Sequence, residues 1–260
     1  MTMHGDVGTG LYSRVNEMAR LDKQPAERDR RVAVVQSCYL PWKGYFDLIR
    51  SVDLFVFYDD VKYTKNDWRN RNIVKMRNAT VWLTIPIGKE ATKQRICDVE
   101  IRSHHWQLKH WRTLNQCYGK CDYFDQYAPF FEDLYCRRTW ARLTELNQLL
   151  TRRLAEWLEI EVVFCDSRSF DLRGKKQERL LDLLTRLNAT SYLSGPAATA
   201  YIDPSEFAQR NIELKFIDYR YPEYPQGEPP FLPNVSVVDL IFRFGPNSGN
   251  FIWGETVSRR

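Results

Sequence analysis

The sequence predicts an α/β fold: a mostly parallel sheet with helices on both faces, plus a helical segment around residues 103–158. Three observations predict it. Arg31-Val-Ala-Val-Val-Gln36 and Leu54-Phe-Val-Phe-Tyr58 are short, nearly unbroken apolar runs, as strands buried on both faces require. Later runs of this kind alternate with helical spacings, the order that builds a parallel sheet. Between the two halves of that alternation, residues 103–158 carry apolar side chains at helical spacing only.

Residues 1–30 mix Gly, Arg, Asp and Lys without periodicity and read as a flexible N-terminal extension, leaving 31–260 as one expected domain. The first strand leads through a Pro41 turn into a helix from Gly44 to Arg50. The second, from Leu54, ends abruptly at Asp59-Asp60, so the two emerging tips should lie together. Val81 to Ile87 alternates and, with a weaker strand at Cys97 to Ile101, suggests an edge pair or hairpin. Helices follow at Trp106–Tyr118, Pro129–Tyr135 and Thr139–Leu158. Then come a strand at Glu161–Cys165, a helix at Lys175–Leu187, and strands at Ser191–Gly195 and Leu214–Tyr219. Five prolines between Tyr221 and Asn234 mark an extended loop laid over the body, before a last helix from Val235 to Phe244. In a Rossmann-like sheet of this sort, ligands bind in the crevice outside the carboxyl ends of the strands.

Composition narrows the function classes. The chain is 43% hydrophobic and 27% charged, with a net charge of +5, its Lys and Arg spread along the whole length. That favours an anionic small ligand at least as much as nucleic acid. Six cysteines lack the paired spacing of a zinc site and read as reduced core thiols. No apolar run approaches the ~18 residues of a membrane span, and the start carries no apolar signal centre, so a cytoplasmic protein without membrane insertion is expected. Walker, dinucleotide and Gly-x-Ser-x-Gly motifs are missing; no cofactor is indicated.

Four segments can carry chemistry. In Gln36 to Phe46 a helix entrance offers unpaired N–H groups to an anion, and Gly44 would let a ligand approach the backbone. There Gln36 and Lys43 are candidate polar contacts, and Tyr39, Trp42 and Tyr45 candidate stacking rings, unless Trp42 simply locks the loop to the core. Tyr58 to Asn72 is too polar for a core and too rich in Trp and Tyr for an ordinary solvated face. It contributes Asp59, Asp60, Tyr63, Lys65, Asp67, Trp68, Arg69 and Arg71. Its plainer reading is an ion-paired surface hairpin, and its adjacent aspartates are only a weak metal signal. Near Ser103, His105 is a candidate general base, although His and Trp at helical spacing also pack a helix against a sheet. Finally, the small residues after Ser194 and Gly195, with Tyr201, leave room for a ligand beside exposed backbone N–H groups.

The spelling Gln36-Ser-x-Tyr-x-Pro-Trp-x-Gly-Tyr-Phe46, then Tyr58-Asp-Asp-Val-x-Tyr63, Asp67-Trp-Arg-Asn-Arg-Asn72 and Trp82-Leu-Thr-Ile-Pro86, resembles the WbqC-like family. Lys109-His-Trp111, Tyr192-Leu-Ser-Gly-Pro196, Tyr201, Tyr224-Pro-Gln226 and Ser236-x-x-Asp239 continue the likeness, which adds Gln226 to the candidate contacts. The resemblance implies a biosynthetic enzyme of surface-polysaccharide (O-antigen) or secondary-metabolite pathways, one transferring an acyl or aminoacyl group to the amine of an amino sugar or related metabolite. Its substrate would be an anionic small molecule such as a nucleotide sugar, with aminoacyl-tRNA or another acyl donor as the second. In that reading Asp60 or His105 takes the amine proton, while Lys65 or Arg71 steadies the oxyanion. The competing readings are a glycosyltransferase or sugar-nucleotide-binding accessory protein, and an RNA binder in which Arg69, Arg71, Lys75 and Arg77 interleave with Trp68.

Overall fold

The computed structural model of the chain describes residues 29–254; the expected N-terminal extension up to residue 28 lies outside the described residues. A five-stranded, all-parallel sheet forms the centre, built from β1 (Arg31–Val35), β2 (Leu54–Phe57), β5 (Val163–Asp166), β6 (Ser191–Ser194) and β7 (Glu213–Phe216). Their order across the sheet is β5-β2-β1-β6-β7. The chain therefore works outward from β1 on one side, returns, and works outward on the other. The reversal falls between β1 and β6.

Both faces are covered, which explains the unbroken apolar runs. Val32, Val34, Leu54 and Val56 join one cluster with Leu181, Leu184 and Phe207; Ala33, Phe55 and Phe57 alternate with them into the larger cluster on the opposite face. The smaller face is closed by α5 (Lys176–Arg186) and α6 (Pro204–Ala208). The larger is closed by α1 (Lys43–Arg50), α2 (His105–Tyr118), α3 (Phe124–Glu132), α4 (Leu143–Trp157) and α7 (Val238–Phe244). A short α8 (Asn250–Trp253) packs on α1.

The hairpin differs from expectation. β4 (Ala79–Thr84) pairs antiparallel with β3 (Arg71–Met76), in register Ile73 to Trp82, and not with Cys97–Ile101. That second segment is a 3-10 turn followed by isolated bridges, Ile87 to Ile101 and Glu100 to Arg142. β3 hides in sequence because half of its side chains are polar and two of those are buried: Asn72 and Lys75 are satisfied, Asn72 by the carbonyls of Tyr39 and Leu40 at 3.0 and 2.7 Å.

The proline-rich segment 221–234 lies over α1 and α7, as expected. Two buried lysines hold it. Lys75 donates to the Glu228 and Pro230 carbonyls at 2.5 and 2.7 Å, and the Lys43 ammonium sits 4.9–5.4 Å from the rings of Tyr221, Tyr224 and Phe231. All six cysteines are free, but Cys136 is exposed and so is no core thiol: it lies in the wide turn that ends α3, where the chain swings out. Among the described residues, no helix is long and apolar enough to cross a membrane, and no three His, Cys, Asp or Glu gather as a metal site.

Candidate functional site

At the carboxyl ends of β1 and β6, where the strand order reverses, the chain leaves two cavities side by side. The first, about 480 Å³, is lined by Cys38, Pro41, Trp42, Tyr45, Trp68 and Arg69, with Asn72, Gly195, Pro196, Ala197, Tyr219 and Asn234. The second, about 640 Å³, opens on the α5 side and includes Gln36, Tyr58, Lys176, Tyr192, Ser194 and Tyr201. Gly195 and Ala197 belong to both walls. Both volumes lie in the usual range for small-molecule sites.

The loop after β1 is rigid because its polar groups are used up locally. Ser37 donates its N–H to the Asp59 carboxylate at 2.8 Å, tying the tips of β1 and β2, and Thr144 and Gln148 of α4 bind the other Asp59 oxygen. Tyr39 donates its N–H to the Trp68 carbonyl at 3.1 Å, which brings the two sequence segments together. Gly44 is needed for a different reason than ligand approach: a Cβ there would lie 2.3 Å from the Trp42 indole, which occupies that space. Trp42 in turn meets Tyr219 edge-on at 5.0 Å, so it both locks the loop and walls the first cavity.

Arg69 organises the first cavity. Its guanidinium donates to the Gln36 carbonyl at 3.2 Å, the Gln36 side-chain oxygen at 3.1 Å and the Cys38 sulfur at 2.8 Å, with Asp67 at 3.3 Å behind it. Burial pushes the Cys38 thiol up despite the adjacent cation, so at neutral pH it stays protonated. Burial likewise lifts Tyr45, while Tyr219 is pushed up to about 12. The lining thus offers one fixed cation, aromatic faces and hydroxyl donors, and no carboxylate.

The expected residues fall into four groups. Trp42, Tyr45, Trp68, Arg69 and Gly195 line the first cavity, and Gln36, Ser194, Gly195 and Tyr201 the second. Tyr63, Lys65 and Arg71 line a third hollow beside the end of β4, with Thr84 and Lys89. Arg71 stacks 4.6 Å over Trp82, whose other neighbour is Trp68 at 5.7 Å, so an exposed three-layer stack leads from that hollow to the first cavity.

The others line none of these cavities. Asp60 is paired with Arg179 and accepts from Ser167 at 2.5 Å, a nearly buried ion pair that commits both carboxylate oxygens to structural partners outside all three linings. Asp59 is buried in the loop network just described. His105 is exposed in the first turn of α2, because the helix turns Trp106 and His110 inward instead. Tyr39 packs against His110 and Tyr135, its hydroxyl 2.9 Å from the imidazole. Lys43 faces the aromatic strap, and Gln226 pins that strap through Tyr224 and both backbone groups of Leu232.

Sequence reasoning missed Cys38, Tyr219, Asn234 and Lys176 as wall residues. A thiol directly after the first strand, inside the densest motif, was the available signal for Cys38; the other three come from distant segments with no motif of their own.

The uncharacterized protein Rv1507c of Mycobacterium tuberculosis (strain ATCC 25618 / H37Rv) is 37% identical over 225 residues, covering 86% of this chain and 97% of that protein. No solved structure matches the chain. The WbqC-like protein family model matches residues 36–251, taking in the whole wall of the first cavity and all of the second's except Val34 and Val35, and the chain belongs to that family.

Proposed function

We propose that the protein is a biosynthetic transferase that places an acyl or aminoacyl group on the amine of an amino sugar or related metabolite held in the first cavity. The observation that carries this reading is the pairing of Trp42, Trp68 and Tyr219 with one charged group, Arg69, at the reversal of the sheet. Aromatic faces suit a sugar ring; the guanidinium suits an anion.

In the reaction the amine nitrogen attacks the acyl carbonyl, a C–N bond forms, and the bond to the leaving group breaks with its electron pair. Arg69 cannot take a proton, so its part is to stabilise negative charge on the carbonyl oxygen or the leaving group. With Asp60 and His105 outside the lining, the amine proton goes to water at the open mouth, and catalysis rests on positioning. A mass-spectrometric screen of the purified protein with amino sugars, their nucleotide derivatives and activated acyl donors, including aminoacyl-tRNA, tests this. The expected result is an acylated amine that fails to form with Trp68→Ala. No product from any donor overturns it.

A second reading, nucleic-acid binding, keeps one observation in its favour, the exposed Trp68–Trp82–Arg71 stack. It loses Lys75, whose ammonium is spent inside the fold on the carbonyls of the strap. Affinity for RNA that falls steeply with salt supports it; weak, salt-independent affinity removes it.

A further inference from the structure

The second cavity is assigned nothing by the reading above. It differs from the first in kind: Tyr58, Tyr192 and Tyr201 stand over an apolar floor of Val34, Leu180, Ala198 and Ile202, and Lys176 is the one charged group in its wall. Tyr201 is 75% exposed, a ring held over an opening with nothing packed on its outer face. The walls of the two cavities meet at two points. Gln36 lines the second and its side chain accepts from Arg69 of the first, at 3.1 Å. Gly195 lies between them in extended backbone, φ −73°, and a Cβ added there would meet nothing nearer than the Tyr219 hydroxyl at 3.7 Å. No side chain stands at that point of the shared wall.

We infer that the two cavities are halves of one site for a nucleoside diphosphate sugar, with the base and ribose in the tyrosine-walled cavity and the sugar against Trp42 and Trp68. The diphosphate crosses Gly195 with Arg69 on one side and Lys176 on the other. The combined wall holds no carboxylate, and its two cations, Lys176 and an Arg69 that shares its charge with Asp67 behind the wall, give it the positive potential that a bridging diphosphate needs. A backbone crossing without a side chain is what a closely approached phosphate chain needs. The assignment rests on the proposed use of the first cavity, and deepens it by naming how its substrate is carried.

Calorimetric titration of the full chain with UDP, ADP, GDP, CDP and dTDP, their sugar conjugates, and inorganic phosphate tests it. At least one nucleoside diphosphate is expected to bind, at least tenfold more tightly than phosphate. Tyr201→Ala and Lys176→Gln, both exposed and outside the core, should each weaken it tenfold or more. Trp68→Ala should leave the nucleoside diphosphate within twofold yet weaken its sugar conjugate. Gly195→Val, in backbone that valine adopts freely, should weaken the conjugate most. Saturation by no nucleoside diphosphate at millimolar concentration, phosphate binding as tightly, or indifference to Tyr201→Ala and Lys176→Gln would each overturn the inference. Acylation of free amino sugars without nucleotide binding defeats this inference alone. Nucleotide binding without any acyl product defeats the transferase reading alone.

Discussion

The Arg69 guanidinium donates to the Gln36 side-chain oxygen at 3.1 Å, and through that contact the two cavities at the sheet reversal share a wall. One planar cation reaches a carbonyl, an amide oxygen, a thiol and a carboxylate at once, which an ammonium cannot do. Arg69→Lys should therefore cost about 2–4 kcal/mol of stability, because Gln36 and Cys38 lose their buried donor. Urea midpoints measure the loss, and a change below about 0.5 kcal/mol would show that water replaces the guanidinium at no cost.

Trp68 is 43% exposed, and its indole contacts Trp82 outside the core. Trp68→Ala should shift stability by less than about 1 kcal/mol while weakening any ligand of the first cavity roughly tenfold, the scale of a lost ring stack. Quenching of tryptophan fluorescence by such a ligand should shrink in the variant to the part that Trp42 carries. Undiminished quenching would move the ligand away from Trp68.

Asp60 and Arg179 form an ion pair in which the carboxylate is nearly buried, so each partner depends on the other. Asp60→Asn should cost about 3–5 kcal/mol by stranding the Arg179 cation, and adding Arg179→Met should recover much of it. If Asp60 instead serves as a base, Asp60→Asn abolishes turnover with stability unchanged. Melting curves read beside activity separate the two.

What was legible in the sequence, and what was not, follows from range. Val32, Val34, Leu54 and Val56 announce buried parallel strands because each side chain meets a covered face, a local property. Trp42, Trp68 and Arg69 announced a site because no core or solvated face tolerates such a mixture. Asp60 misled for the same reason: its pattern is polar, but its partner is 119 residues away on α5. β3 was hidden because Lys75 and Asn72 find their acceptors in the strap and in the loop after β1, contacts that no periodicity encodes.

His110 makes acid the weak side of the fold. Burial holds its imidazole down at about 3, one ring nitrogen facing the Tyr39 hydroxyl at 2.9 Å and the neutral ring donating to the Thr84 carbonyl. Between the ordinary value of 6.5 and about 3, the unfolded chain takes up a proton that the folded chain refuses, so stability falls as pH falls through that window. Spanned completely, that window is worth about 5 kcal/mol. His110→Gln should flatten the stability profile between pH 6.5 and 4, as read by urea midpoints; an unchanged slope would assign the acid sensitivity elsewhere.

Lys43 carries the opposite limb. Burial lowers its ammonium from 10.5 to about 8, against the pull of Asp239, and the nitrogen has no hydrogen-bond partner beneath the rings of Tyr221, Tyr224 and Phe231. Between pH 8 and 10.5 the unfolded chain holds the extra proton, so stability rises with pH there; below pH 8 the desolvation cost is fully present. Cation–π contact offsets part of it. Lys43→Met, of similar length and apolar, should then stabilise the protein by about 1–3 kcal/mol at pH 7, and the advantage should shrink by pH 10. Because Lys43 lines neither cavity at the sheet reversal, ligand affinity should stay within twofold of the parent. A variant that is less stable at both pH values, and that no longer binds, would put this ammonium in contact with substrate, and the strap over it would have to open to let that substrate in.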